Sequence, residues 1–473
     1  MTIQQQPELA DLSSHESAHS GYRDTLTRLI RGDLDFHDDN SLYSSHNFHP
    51  FPAKFPPQLP RLFIEQLTKP NDVVLDPMMG SGTTVLEAYL AGRRAIGLDI
   101  DPLAITISNV KTTPYDKNEL IELTKVIVAK ARESVGHRRT ELESALQSGF
   151  DAPTRRFLDT WFPKDTQLEL LALIQETERE TDHSTRSFFE LAFSGVIITK
   201  SGGVSYALDL AHTRPHRAKL VLDMSGRVLL GHRALGVASS ERDRLLTKTI
   251  RSAIEEFERR VFNNLKGVLD RSSGFPKPYV TFGDARSLSL DENSVDLIVT
   301  SPPYASNAID YMRAHKFALV WMGYSIAELS ERRREYIGSE VIQGADLVDF
   351  PSRTTAVIED ISVVDARKGL VLRHYYSEMA LVLREMLRVL KPGKAAIVVV
   401  GSSLMRGRDT QTGDCLAEIG ARLGLDVVAV GTRSLDRNRR MLPAGHRVDP
   451  SSQIQQRMHK EQVIAFCKPA QRS

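Results

Sequence analysis

The chain has 473 residues, 41% hydrophobic and 26% charged, a globular composition that suits two or three domains or one large domain with insertions. A net charge of +1 gives no overall pull toward nucleic acid, so such a partner needs a local basic surface. Two cysteines, Cys415 and Cys467, exclude a disulfide framework or a Cys-rich zinc centre, and the 14 histidines show no zinc spacing, so no metal is expected.

The start, MTIQQQPELADLSSHESAHSG, lacks the basic-then-apolar layout of a signal peptide. No apolar run approaches the roughly 18 residues of a membrane span. The expectation is a cytoplasmic protein without a membrane partner.

Residues 1–45 read as a polar lead-in with a short helix near Tyr22–Ile30, and HPFPAKFPP (49–57) closes a proline-punctuated loop that enters a helix. NDVVLDPMMGSGTTVLEAYLAGRRAIGLDIDP (71–102) reads as strand, Gly-rich turn, helix, strand, the alternation of a parallel, doubly wound sheet. From 111 to 276 long charged helices take over, including KNELIELTKVIVAKARE and ERDRLLTKTIRSAIEEFERRVFNNLKGVL. Between them, GGVSYALDLAHTRPHRAKL (202–220) reads as irregular or short-stranded. The β/α pattern returns with YVTFGDARSL and VDLIVTSPPY. In SEMALVLREMLRVL, Met379, Leu383, Met386 and Leu390 share one face, and Lys391-Pro392-Gly393 ends the helix. AAIVVVG, LDVVAVGTRSL and EQVIAFCK follow as strands. The expected fold is α/β, a Rossmann-like sheet carried by 46–110 and 277–473 and split by a largely helical insertion, 111–276.

Gly80 and Gly82 sit directly after the strand VVLD. No lysine follows in the P-loop pattern, and position 85 is Val where a dinucleotide fingerprint wants a third glycine. What remains is an acid closing the strand, Asp76, before a close-approach turn. That suits a cofactor with a positive charge and an amino-acid moiety, whose ammonium or sulfonium region Asp76 would counter. Asp99 ends the next strand at a spacing suited to ribose hydroxyls, and Asp284 follows the third strand, where it could accept from an adenine amino group. Acids at three successive strand ends point to S-adenosylmethionine.

LIVTSPPY (297–304) is a buried strand running into two prolines, which lock φ and cannot continue a ladder. At the carboxyl end of a parallel strand the corner would face the ligand crevice. The Ser301 hydroxyl and the Pro302 carbonyl can each accept an N–H of an exocyclic amine on a nucleobase, freeing its delocalised lone pair for in-line attack on a methyl group. Tyr304 would stack on an extruded base. No covalent intermediate is needed, and neither cysteine has the Pro-Cys setting of carbon-directed cytosine methylation.

Together these segments resemble the S-adenosylmethionine-dependent amino methyltransferases of DNA, which act on cytosine N4 or adenine N6. DPMMGSGTT looks like the family's cofactor loop, TSPPY like its catalytic tetrapeptide, and HPFPAKFPP like the segment beside the cofactor's methionine end. EMLRVLKPGKAAIVVVG resembles the helix and strand that follow. The resemblance covers roughly 46–110 and 277–400 plus the last strands, with the cofactor loop before the catalytic corner. It implies a methyltransferase sheet with a reversed last strand. It also implies a cofactor set of Asp76, Pro77, Gly80, Gly82, Thr83, Thr84, Asp99, Asp284 and Ala285, and a catalytic set of Ser301, Pro302, Pro303 and Tyr304. In the family, serine before the prolines goes mostly with cytosine N4, which makes N4 the expected target and adenine N6 the alternative. An RNA methyltransferase or a non-catalytic DNA-binding protein of the same fold fits less well.

Duplex DNA is the expected partner, together with a cognate restriction endonuclease or defence subunits. Two basic stretches are candidates to hold it: Arg214, Arg217 and Lys219 in the insertion, and Arg437, Arg439 and Arg440, with Arg433 upstream, in the loop between the last two strands. ERRRE (331–335) reads as a solvated helix face. His315 reads equally as an active-site or a surface residue.

Overall fold

A computed structural model describes residues 10–51, 54–199, 201–210, 215–231, 247–269, 274–305, 310–339, 349–435 and 460–470. One seven-stranded sheet organises them. Its strands are β1 (Val73–Asp76), β2 (Arg94–Asp99), β3 (Tyr279–Phe282), β4 (Val295–Thr300), β5 (Leu390–Gly401), β6 (Asp426–Ser434) and β7 (Lys460–Cys467). The spatial order is β6-β7-β5-β4-β1-β2-β3. The pairs β1–β2, β2–β3, β1–β4 and β4–β5 are parallel, whereas β7 runs antiparallel to both β5 and β6. The sheet is therefore Rossmann-like and mostly parallel, with the last strand reversed as expected.

VDLIVT of β4 is buried at all six positions, which is why it reads as a continuous apolar run. Alternate side chains feed two layers. Val74, Leu297 and Val299 pack with α1 (Ala10–Arg31), α2 (Gln58–Leu67) and α3 (Thr83–Leu90), while Leu75 and Ile298 share a core with three helices from the C-terminal half. The N-terminal helix is longer than the short one expected near Tyr22–Ile30, and its Leu26, Leu29 and Ile30 are buried in the first layer.

The chain leaves β1 toward β2 and β3 on one side, then returns to place β4 on the other. The crevice between the carboxyl ends of β1 and β4 is thus the topological switch point, where open α/β sheets bind ligands. Asp76 ends β1 and Ser301 follows β4.

After α4 (Pro102–Lys111), the helices α5 (Lys117–His137), α6 (Arg139–Ser148), α7 (Ala152–Trp161), α8 (Lys164–Glu178) and α9 (His183–Ile197) form a second core. Asp116, Asp151 and Asp182 cap α5, α7 and α9 by accepting backbone N–H bonds. The long helix expected over 241–269 is shorter. Thr247–Thr249 is a strand paired with Leu220–Leu222, and α10 (Ala253–Leu265) begins only after Ser252 caps it. Alternating β-branched residues and a capping serine outweigh the charged, helix-like composition there; residues 241–246 lie outside the described residues. A further helix, α11 (Tyr311–Leu319), follows the SPPY corner and buries Met312, Phe317 and Leu319 in this second core. The helical region therefore packs against the element next to the corner.

Candidate active site

A cavity enclosing about 850 Å³ of empty space, open solvent at its mouth included, lies at the switch point. Its walls hold Asp76, Pro77, Gly80, Thr83, Asp99, Asp284, Ala285, Ser301 and Pro303, so residues from four strand ends share one space.

The turn after β1 needs its glycines. Gly80 and Gly82 have φ of +48° and +69°, and a Cβ on Gly82 would collide with the side chain of Ser108. From behind, the fully buried Lys111 donates to the Ser81 carbonyl at 2.6 Å, and burial holds its pKa well below the usual lysine range. Asp76 is buried, with Oδ1 accepting from Thr300 Oγ1 at 2.7 Å and from the Met78 N–H at 3.2 Å. Burial outweighs these bonds and pushes its pKa up to about 6. The Thr300 bond also ties the end of β1 to the residue before the corner.

Asp99 accepts the Gly80 N–H on Oδ2 at 2.8 Å and the Asp101 N–H on Oδ1 at 2.9 Å, leaving lone pairs on both oxygens. Burial, then the charge of Asp101, pushes its pKa up to about 7. Burial would raise Asp101 too, but the imidazole of His315, bonded to its Oδ2, keeps its pKa below the usual range. His315 is fully buried, which corrects the surface option. Asp284 reaches the cavity with its carboxylate already held by Arg286 at 2.7 Å, and Arg286 also pairs with Glu378.

β4 stops where the prolines require, its last β5 pairing being Thr300 with Val398. The Pro303 carbonyl accepts from Tyr375 Oη at 2.8 Å. Among the described residues no protein donor takes the Pro302 carbonyl. Tyr304 is half-buried, and its hydroxyl donates to Glu461 Oε1 at 2.6 Å.

Four expected residues do not line the cavity: Gly82, Thr84, Pro302 and Tyr304. Thr84 is buried and donates to the Val299 carbonyl at 3.1 Å, tying α3 to β4. Residues that do line it, though not singled out from sequence, include Phe51, Lys54, Asp101, Tyr311, Tyr336 and Ile337. Phe51 stacks on Tyr311 with ring centroids 5.2 Å apart, joining the HPFPAKFPP segment to α11. Lys54, from the same segment, donates to the His46 and His49 carbonyls at 3.0 and 3.3 Å, and burial lowers its pKa to about 8. The HP and KFP pattern was a usable signal for it. Asp101 could have been found as the N-cap ahead of Pro102 in DIDP.

Of the basic candidates, Arg217 and Lys219 are exposed, with the Arg217 guanidinium 5.3 Å over the Tyr206 ring. Arg214, Arg437, Arg439 and Arg440 lie outside the described residues. Arg433 is not in a loop: it lies in β6, buried, and pairs with Glu461 at 2.7 Å. Within ERRRE, Arg332 and Arg334 pair along the helix as a solvated face would. Arg333 instead pairs with Asp310 at 2.6 Å and lines a cleft with Pro215, Arg313 and Lys316. Pro215 of the insertion thus meets Arg313, Lys316 and Arg333 at one cleft beside α11. Among the described residues there is no metal-ligating cluster, and no helix is long and apolar enough to cross a membrane.

Residues 26–110 match a family model described as DNA methylase, of the N6 and N4 type. The chain is 23% identical over 422 residues to the Type II methyltransferase M.MvaI of Kocuria varians, covering 84% of this chain and 86% of that protein. It is also similar to the Type II methyltransferase M.BsoBI of Geobacillus stearothermophilus, 23% identical over 64% of this chain and 57% of that protein. A third relative, M.MjaII of Methanocaldococcus jannaschii, is 36% identical over 88 residues, 19% of this chain and 17% of that protein. By these comparisons the chain is similar to DNA methylases of the N6 and N4 type, and the residues that carry the likeness, the Gly80 turn, Asp76, Asp99, Ser301 and Pro303, share one cavity.

Proposed function

We propose that this enzyme is a site-specific methyltransferase of the type II kind that modifies the N4 amino group of cytosine in duplex DNA. The observation that carries the reading is the placement of Ser301 and Pro303 in the same cavity as Asp76, Asp99 and Asp284, across the switch point. S-adenosylmethionine supplies a methyl group on a positively charged sulfonium.

The donor set fits that cofactor. Asp76 is buried and Asp99 half-buried, and lost hydration raises the pKa of both, so a cationic or hydroxyl-bearing ligand would stabilise their charged forms. Asp76 would take the α-ammonium of the methionine moiety and Asp99 the ribose hydroxyls, the Gly80–Gly82 turn allowing close approach. Lys54, the one cation lining the cavity among the described residues, would take the α-carboxylate. Asp284, braced by Arg286, and the neighbouring Ala285 would meet the adenine. Pro77 and Thr83 shape the wall, and Thr84 holds the turn to β4.

On the substrate side, the Ser301 hydroxyl and the Pro302 carbonyl would accept the two N–H bonds of the target amine. That draws the nitrogen toward tetrahedral geometry and aims its lone pair; positioning supplies most of the rate. The prolines keep both acceptors fixed, the Tyr375 bond steadies Pro303, and Tyr304 offers a ring face to the extruded base.

The methyltransferase domain comprises 46–110 and 277–473, with 111–276 as the target-recognition region. Arg217 and Lys219, beside the cleft of Arg313, Lys316 and Arg333, would contact backbone phosphates. A cognate restriction endonuclease or defence subunit is the further partner of this reading. The test is modification-sensitive sequencing of genomic DNA from cells with and without the gene. N4-methylcytosine in one sequence context supports the proposal, and N6-methyladenine as the only new mark moves the target to adenine and refutes the cytosine assignment.

A further inference from the structure

The fourth residue of the corner needs only a flat ring to stack on a base, and phenylalanine would supply one. This chain has tyrosine, and its hydroxyl is committed to Glu461 on the reversed strand β7. We infer that Glu461 is a positioning residue: with Arg433 behind it, it locks the ring of Tyr304 in place as the wall against which the extruded base rests. The inference rests on the proposed role of the corner.

Three observations carry it. First, the link is long-range and crosses the sheet. Tyr304 follows β4, Glu461 opens β7, and β5 lies between them, so two inter-strand spacings of about 4.8 Å must be bridged. At that register β5 presents Gly401, which has no side chain to stand in the way.

Second, Glu461 is not adaptable. It is 7% exposed, and Arg433, 5% exposed and its register partner on β6, donates to Oε2 at 2.7 Å while Tyr304 donates to Oε1 at 2.6 Å. The Arg433 Nε donates in turn to the Leu34 carbonyl at 3.2 Å. Each carboxylate oxygen thus has its own donor, and the arginine that compensates the charge is tied to the segment after α1. A charge-assisted O–H···O bond of this kind is stronger than a neutral one.

Third, the bond fixes only the edge of the ring. Tyr304 stays half-buried, packed at the margin of the core that contains Ile298 and Tyr375. Burial and the adjacent Glu461 charge both hold the phenol protonated, so it keeps donating throughout the working pH range. A ring anchored at its hydroxyl loses the freedom to swing about χ1, and base stacking then costs less ordering.

The test is a double-mutant cycle of Tyr304→Phe and Glu461→Gln, read as kcat and KM on DNA carrying the recognition sequence. S-adenosylmethionine affinity and thermal stability serve as controls. Tyr304→Phe keeps the ring and removes the anchor. It should lower kcat by about tenfold, the loss of one hydrogen bond to a charged group, with cofactor affinity unchanged. Glu461→Gln should lower kcat similarly, and adding it to Tyr304→Phe should cost little more, because both act on the same ring. If kcat is unchanged in Tyr304→Phe, or if Glu461→Gln lowers kcat equally with and without the tyrosine hydroxyl, Glu461 only pairs strands and the inference is wrong. Should Glu461→Gln fail to fold, the Tyr304→Phe result decides alone. An inactive Ser301→Ala beside a fully active Tyr304→Phe would refute this inference and leave the proposed function standing. A wild-type protein that methylates no DNA would remove both.

Discussion

The sheet and the helical region use charge in opposite ways. Around the sheet, carboxylates are buried at strand ends with backbone donors on one side and a cavity on the other, and Asp76 and Asp99 sit close to neutrality. In the helical region several acids cap helices or pair with arginines at the surface, as Asp165 does with Arg139 and Arg227, around a large apolar core that also buries Gln167, Glu176 and several threonines and serines. One region turns acids from successive strand ends toward a cavity; the other turns several of its acids to helix caps and surface arginines. The two are joined through α11, which lends Tyr311 to the cavity and Phe317 to the helical core. On the proposed function, the chemistry falls to the sheet's cavity and the helical part would contribute shape and a surface for DNA.

If that division holds, Ser301→Ala should cause the largest loss. It should cut kcat by about 10²–10³-fold, the scale for losing one preorganised hydrogen-bonding group at a reacting centre, while cofactor affinity stays within twofold or so. A parallel loss of cofactor binding would show the corner to be structural. Leu173→Ala, in the centre of the helical core, should cost about 2–5 kcal/mol of stability with little change in cofactor affinity at a temperature where the protein is folded. Denaturant unfolding beside calorimetric titration separates the two effects. Asp99→Asn keeps the shape but removes the charge, and should weaken S-adenosylmethionine binding by about 10–100-fold without moving the melting temperature of the helical core.

The pH dependence has a definite sign. Asp76 and Asp99 rise from 3.8 to about 6 and about 7 on burial, so the cofactor-free folded chain binds more protons than the unfolded one between pH 4 and 7. Their contribution therefore destabilises the fold as the pH rises through that window. A cationic ligand favours the charged carboxylates, so cofactor affinity should do the reverse, strengthening from pH 5.5 to 7.5 with proton release. Titration in two buffers of different ionisation enthalpy measures that release, and an affinity independent of pH would count against both acids as ligands. Smallest of all, Arg217→Ala and Lys219→Ala should each raise KM for DNA modestly and reduce the salt slope by about one ion for each phosphate-binding side chain removed, with no sequence preference altered.

What was readable from sequence follows the same division. Asp76, Gly80, Asp99 and Ser301 were legible because strand ends and turns put their functional groups at fixed offsets within a few residues. Tyr311 and Tyr336 were not, since the start of α11 and a later loop deliver them to the cavity from other parts of the chain, and Lys54 had only the pattern of HPFPAKFPP to mark it. Arg286 grips Asp284 from two residues away, whereas the grip of Glu461 on Tyr304 joins distant strands and has no local pattern. The strand at Thr247–Thr249 was masked by its charged, helix-like neighbours, and Arg433 was counted with the basic loop although the strand LDVVAVGTRSL already contains it.

The central claim is that one cavity at the switch point brings S-adenosylmethionine to an amine held by the SPPY corner. Its most direct test is mass spectrometry of nucleosides from duplex DNA incubated with the enzyme and isotopically labelled S-adenosylmethionine. Labelled N4-methylcytosine with the wild type, lost in Ser301→Ala, is the predicted result. Cofactor binding without any labelled nucleoside would contradict it.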